Sequence, residues 1–135
     1  MSATARGLLL VLGVGLALMV IGGGWLMLSS GCQYERLYGR ISPTERYIAE
    51  VYGADCGMRV THVVMLRDRF AARLPNLEGG PAGTQIASHF SARGRRSDVR
   101  WDGEERLVLI YDSATPPALE RTEWGGVRIE ASRAQ

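Results

Sequence analysis

A chain of 135 residues, 46% apolar and 22% charged, is neither a disordered tail nor a collagen nor a coiled coil, and it has room for one compact domain rather than a multi-domain enzyme. Its formal charge of +2, from 16 basic and 14 acidic residues, is too balanced to steer the molecule onto nucleic acid. Every basic residue is an arginine, and no charged side chain occurs between Arg6 and Glu35.

That gap defines the first predicted element. Gly7 to Leu28 is uncharged throughout, and as a helix it would be about 33 Å long, enough for a hydrocarbon core of roughly 30 Å. A lone apolar segment in lipid must satisfy its own backbone, so helix is its expected state despite the glycines. Trp25 lies where an interfacial aromatic belongs. Gly13 and Ala17 form one small-xxx-small pair, which serves self-association or is simply tolerated. Two rival readings share the segment. A cleaved signal peptide would have an apolar stretch of about 7 to 15 residues, shorter than this one. A lipobox would acylate Cys32, but the position three before it is Ser29 and the aliphatic Leu28 falls one residue early. Arg6 precedes the span, while Arg36, Arg40 and Arg46 come after it. The tail is nevertheless expected in the cytoplasm, because a terminal signal-like segment delivers the rest of its chain across the membrane. The expected organisation is a cytoplasmic tail over residues 1–6, a transmembrane helix over 7–28 and an extracytoplasmic β-rich domain over 29–135.

About a hundred residues from Cys32 onward suffice for one hydrophobic core. Cys32 and Cys56 are the two cysteines, an even count that suits one disulfide in an oxidising compartment. A reactive thiol at Cys56 and acylation of Cys32 are the alternatives. No C-x-x-C spacing supports the first, and the adjacent Asp55 would raise a thiol's pKa.

Arg40 to Glu45 is a turn signal ahead of a strand over Tyr47 to Tyr52, ended by Gly53. A second strand over Val60 to Leu66 should pair with it as an antiparallel hairpin, with Cys56 in the connection. Asp68 to Gly83 holds five Pro or Gly residues and reads as an excursion loop with at most a short helical stretch near Phe70 to Leu74. Ile86 to Phe90 reads as a short edge strand, and Ser91 to Ser97 as a loop. Val99 to Trp101, the acidic turn Asp102 to Glu105 and Arg106 to Tyr111 make a strand, a tight turn and a strand. The continuous apolar run Leu107 to Tyr111 predicts a central strand buried on both faces, whereas Val127 to Glu130 alternates and should wet one face. The predicted fold is mostly β: an N-terminal transmembrane helix and then a small antiparallel β-sheet domain with long loops on one side.

The order of motifs resembles a family of small bacterial membrane-anchored proteins catalogued only as a domain of unknown function. The likeness runs from Cys32 through Ser42-Pro43, Tyr47-x-Ala49-x-Val51, Asp55-Cys56-Gly57 and Thr61-His62-Val63. It continues to Val99-x-Trp101, Leu107-Val108-x-x-Tyr111 and Gly126-Val127-x-Ile129. At Met58-Arg59-Val60 the chain departs from the small and hydroxylated residues usual there. The resemblance implies an exported or membrane location, a β-rich domain and a Cys32 to Cys56 pairing, and it implies no activity.

Few residues point to chemistry. His62 shares a strand face with Val60 and Val64, where a core-packed imidazole is commoner than a ligand, and His89 is the only other histidine. Asp102, Glu104 and Glu105 sit in a turn, where carboxylates keep ordinary pKa values. Ser42, Ser88 and Ser113 have no recognisable triad around them. Trp101, Tyr111 and Trp124 are expected in the core rather than along a groove. Arg93, Arg95, Arg96 and Arg100 form the one basic cluster, either a solvated loop or a patch for an anionic partner such as lipid phosphate. No catalytic set, metal site or cofactor is expected. The expected protein is a non-enzymatic, single-pass envelope protein of the bacterial cytoplasmic membrane. Its C-terminal domain would lie outside the cytoplasm and its partners would be the bilayer and another envelope protein. A lipoprotein-like inhibitor or ligand-binding module, and then a small envelope enzyme, are the alternatives.

Overall fold

The computed structural model describes residues 3–29, 31–74, 80–91 and 96–135. The chain divides into two units, Met1–Gly31 and Cys32–Gln135, each treated by itself. The first is a single helix, α1, Ala3–Ser29, which begins four residues earlier than the apolar stretch and ends one later. Its middle, from Leu10 to Ile21, is exposed on every side. Among the described residues no helix is long and apolar enough to cross a membrane; the side chains of Ala3, Arg6, Leu8, Leu9 and residues 24–29 in α1 lie outside the described set.

The second unit is all β, with strands β1 Gln33–Ile41, β2 Tyr47–Asp55, β3 Val60–Asp68, β4 Thr84–Ser88, β5 Asp98–Trp101, β6 Arg106–Tyr111, β7 Ala118–Leu119, β8 Glu123–Trp124 and β9 Val127–Arg133. They form two sheets, ordered β1-β2-β3-β4-β7 and β5-β6-β9-β8. β2 and β3 make the expected antiparallel hairpin, in register from Tyr47 opposite Asp68 to Asp55 opposite Val60. β5 and β6 make the second hairpin.

Strand alternation sends one set of side chains from each sheet into a shared core. Tyr47, Ala49, Val51, Val64, Leu66, Ala87 and Phe90 meet Val99, Leu107, Leu109, Val127 and Ile129 there. Each large side chain so buried contributes roughly 1.5–3 kcal/mol. Tyr47 is the clasp between the layers: its ring stacks on Trp101 at 6.4 Å and meets Trp124 edge-on at 5.5 Å, and its hydroxyl donates to the Gly125 carbonyl at 3.4 Å. Both indoles find acceptors on the first sheet's side, Trp101 Nε1 donating to the Arg40 carbonyl (3.0 Å) and Trp124 Nε1 to Thr84 Oγ1 (3.1 Å). Arg40 adds an ion pair to Asp98 at 2.9 Å. The three rings thus lie against the core with their polar atoms satisfied, as expected of Trp101 and Trp124.

Several expectations need correction. The domain is two sheets, not one, and β6 pairs with β9 in parallel, which is possible because the chain crosses to the first sheet as β7 before returning. β1 is a strand that the sequence pattern does not announce. β2 runs through Gly53 instead of stopping there. β4 is flanked by β3 and β7 and is no edge. β6 is central, as predicted, but buried on one face only: Leu107 and Leu109 are covered while Val108, Ile110 and Tyr111 are half-exposed. No helix forms over residues 70–74. β9 alternates as expected.

If Tyr47 clasps the layers, Tyr47→Ala should cost roughly 3–5 kcal/mol of unfolding free energy. Tyr47→Phe, which gives up only the long hydroxyl bond, should cost about 1 kcal/mol or less. Denaturant titration monitored by tryptophan fluorescence checks the pair.

Candidate functional site

The first sheet's outer face carries a buried carboxylate. On β2, alternation turns Ile48, Glu50 and Tyr52 away from the shared core, yet Glu50 is only 2% exposed. Two guanidinium groups answer its charge: Arg67 Nε at 2.9 Å, itself almost wholly buried, and Arg36 Nε at 3.0 Å, 46% exposed. The Tyr52 hydroxyl donates a third bond at 3.3 Å. Burial first, and then the neighbouring Glu50 carboxylate, pushes the Tyr52 hydroxyl's pKa up. Arg67 spends its remaining reach on the carbonyls of Asp68 and Arg69, both 3.2 Å from Nη1. A buried ion so completely answered is costly to break and adds little net stability. Gly39, directly opposite Glu50, is the gap through which Arg36 passes: a Cβ there would stand 2.7 Å from the guanidinium. Sequence reading missed this cluster, although Glu50 is the one charge inside an otherwise unbroken run of β-formers.

Glu104 is the second spent carboxylate. From the β5–β6 turn it accepts from the Ser42 hydroxyl (2.9 Å) and the Thr44 amide (3.0 Å), tying the two sheets' turns together. Hydrogen bonding from Thr44, led by its side chain, and from Ser42 holds this carboxyl below the usual range. The expectation of ordinary turn carboxylates is therefore corrected at Glu104.

Two depressions accompany these clusters. A cleft of about 370 Å³ on the second sheet is lined by Asp102, Glu105, Arg106, Glu123, Gly126 and Arg128. Arg106 is already engaged by Asp102 (3.2 Å) and Glu130 (3.4 Å). The lining is charged and open, unlike the apolar walls of typical small-molecule sites. A groove of about 230 Å³ beside the β2–β3 end holds Glu35, Asp55 and His62 over Gly53, and is smaller than the roughly 300 Å³ such sites start from. Asp55 is partly used, accepting from the Gly57 amide at 2.9 Å. His62 is half-buried on the face it shares with Val60 and Val64, as expected. His89 is exposed at the end of β4 with a positive φ of 55°. Among the described residues no group of three His, Cys, Asp or Glu is placed to hold a metal ion.

Cys32 and Cys56 form a disulfide, with Cα atoms 4.2 Å apart. A sulfur in that bond carries no acyl chain, so acylation of Cys32 and a free thiol at Cys56 both give way. The basic cluster is not brought together by anything described. Arg93 and Arg95 lie outside the described residues, Arg96 donates to the Gln135 carbonyl at 2.8 Å, and Arg100 stands exposed on β5. Comparisons of this chain with protein-family models, with curated proteins and with solved structures return no match.

Removing the buried carboxylate strands Arg67, so Glu50→Ala should cost about 3–5 kcal/mol. Arg36→Ala, at the solvent-facing partner, should cost about 1–2 kcal/mol. Equilibrium unfolding of both variants tests the order. The Glu104 tie has an acid signature. Its folded-state pKa is depressed, so its stabilisation is complete above the ordinary value of 4.5 and is lost as the pH falls through the folded value. A Tm series against pH should therefore fall less steeply on the acid side for Glu104→Gln than for the parent.

Proposed function

We propose that this protein is a non-enzymatic single-pass envelope protein, anchored by α1 in the bacterial cytoplasmic membrane, whose β domain works outside the cytoplasm as a protein-interaction or structural module. The observation that carries the reading is the Cys32–Cys56 disulfide, set just beyond the end of an apolar helix, because such bonds persist in oxidising compartments and are rare in the reducing interior. The anchor rests on the sequence: Gly7 to Leu28 is uncharged throughout, a length that suits a hydrocarbon core of roughly 30 Å, while among the described residues no helix is long and apolar enough to cross a membrane. The stretch from Leu10 to Ile21 has no polar face to offer water, and a helix apolar all round belongs in a core or in lipid. Residues 1–6 are then the cytoplasmic tail and 7–28 the membrane-embedded part.

A module rather than an enzyme is favoured by how the charged groups are used. Glu50 is consumed by Arg36, Arg67 and Tyr52, and Glu104 by Ser42 and Thr44, so the two most constrained carboxylates hold the fold together. At the end of the β2–β3 hairpin opposite the disulfide, the chain leaving β3 presents Phe70 and Leu74 largely bare to the surroundings. Exposed large apolar side chains of this kind suit a protein partner in the envelope.

Topology is directly measurable. Alkaline phosphatase fused at the C-terminus should be active and a fluorescent protein that matures only in the cytosol should stay dark; the reverse pattern would sink the reading. Thiol alkylation without reductant should leave both cysteines unlabelled. Cys32→Ala/Cys56→Ala should lose about 3.5 kcal/mol of stability on the chain-entropy account of a loop this long.

A further inference from the structure

We propose that the tip of the β2–β3 hairpin, Gly57 to Val60, is a second membrane contact, a small apolar foot seated in the headgroup layer of the bilayer that α1 enters. The inference rests on the single-pass reading above. Its first support is the tip's chemistry. Met58 is 100% exposed and Val60 52% exposed, and Arg59 stands exposed between them. Nothing in the turn requires a methionine: the bend is made by Gly57 at φ 91° and held by the Asp55 carboxylate on the Gly57 amide, and turn tips ordinarily carry small polar residues. A thioether flanked by a guanidinium matches an interface where acyl chain gives way to phosphate. Cys56 to Leu66 carry no carboxylate of their own, and the nearest one in the chain, Asp55, is engaged on the Gly57 amide.

The second support is covalent reach, which holds whatever the mutual orientation of the two units. α1 ends at Ser29, and the chain can carry Cys32 no more than about 11 Å beyond it. The disulfide then sets Cys56 with its Cα only 4.2 Å from that of Cys32, and Met58 comes two residues later. Only Ser30 and Gly31, both uncharged, separate α1 from Cys32 in the chain. Chain length and the staple together keep the Cα of Met58, the one fully bare apolar side chain of the hairpin, within about 23 Å of the last residue of α1, and Phe70 and Leu74 follow the opposite end of the same hairpin.

The chain's five methionines supply the test. The full-length protein, labelled with 13C at the methionine methyls, is placed in nanodiscs of zwitterionic and anionic phospholipid, with Met58→Leu assigning the tip resonance. Met19, exposed at the middle of α1, reports on the anchor; Met65, opposite Glu50 and fully buried, is the silent control. A nitroxide on the lipid chain near the headgroup should bleach Met58, a nitroxide at the bilayer centre should bleach Met19, and a water-soluble gadolinium chelate should leave Met58 largely intact. Arg59→Glu should restore the Met58 signal in the presence of the shallow nitroxide while leaving Met19 bleached. If Met19 responds to lipid but Met58 responds only to the aqueous chelate, the foot is overturned and the anchor stands. Met58 shielded from both probes would mean a protein contact and also overturns it. Met19 indifferent to lipid removes the anchor and the foot with it.

Discussion

β2 has almost no wet face, and the architecture of the domain is a consequence. Seven of its residues from Tyr47 to Ala54 are buried, with only Tyr52 half-exposed. Its inward side chains, Tyr47, Ala49 and Val51, demand a second apolar layer, and the second sheet supplies it through Leu107, Leu109, Val127 and Ile129. Its outward side chains include a carboxylate, and a charge that deep must be answered on the spot. Arg67 answers from β3 and Arg36 from β1, so both neighbouring strands are pinned to β2 by side chains as well as by their backbone ladders. The pairing is specific: a one-residue slip of either neighbour would turn its arginine to the wrong face and leave Glu50 unpaired.

How far this could be read from the chain depends on which residues carry the pattern. Apolar β-formers announced β2, β3, β6 and β9, and the Asp102 to Glu105 turn announced the β5–β6 hairpin, because burial and turn geometry write themselves into local composition. β1 escaped because Gln33 to Ile41 mixes Glu35, Arg36, Gly39 and Arg40 into a half-wet strand at a sheet edge, where charge is a device against edge pairing. Its charges have work to do: Arg36 pairs across the ladder with Glu50, and Arg40 reaches Asp98 in the other sheet. Parallel pairing of β6 with β9 left no local trace, since direction is set by where the intervening chain goes. The run Leu107 to Tyr111 misled for the opposite reason: Val108 and Ile110 are apolar without being covered, an excess of hydrophobicity that burial does not require.

The clusters of polar residues were less legible still. Glu50 stood out in sequence only as an interruption of an apolar run, and its partners lie 14 and 17 positions away, brought in by strand register. Glu104 was read as a turn residue, which it is, but its bonds reach Ser42 and Thr44 in the other sheet's turn. In both cases the carboxylate's job is defined by residues distant in the chain, so residue type and neighbours could not disclose it. The two cysteines were the exception. Their chemistry admits few outcomes, and in an even pair outside a long apolar segment the bond between them was the expected one.

The staple also explains an asymmetry in the sandwich. At one end, where β1 begins and β2 hands over to β3, Cys32 and Cys56 link two neighbouring strands of one sheet covalently. The other end is closed without any covalent link, by Glu104 on Ser42 and Thr44 and by Arg40 on Asp98. Unfolding that starts at the uncrosslinked end has only hydrogen bonds and ion pairs to break, whereas the disulfide end keeps its loop closed even in the unfolded chain. The first residue of the β unit is thus also the part least able to fray, because Cys32 stays linked to Cys56 when the strands open.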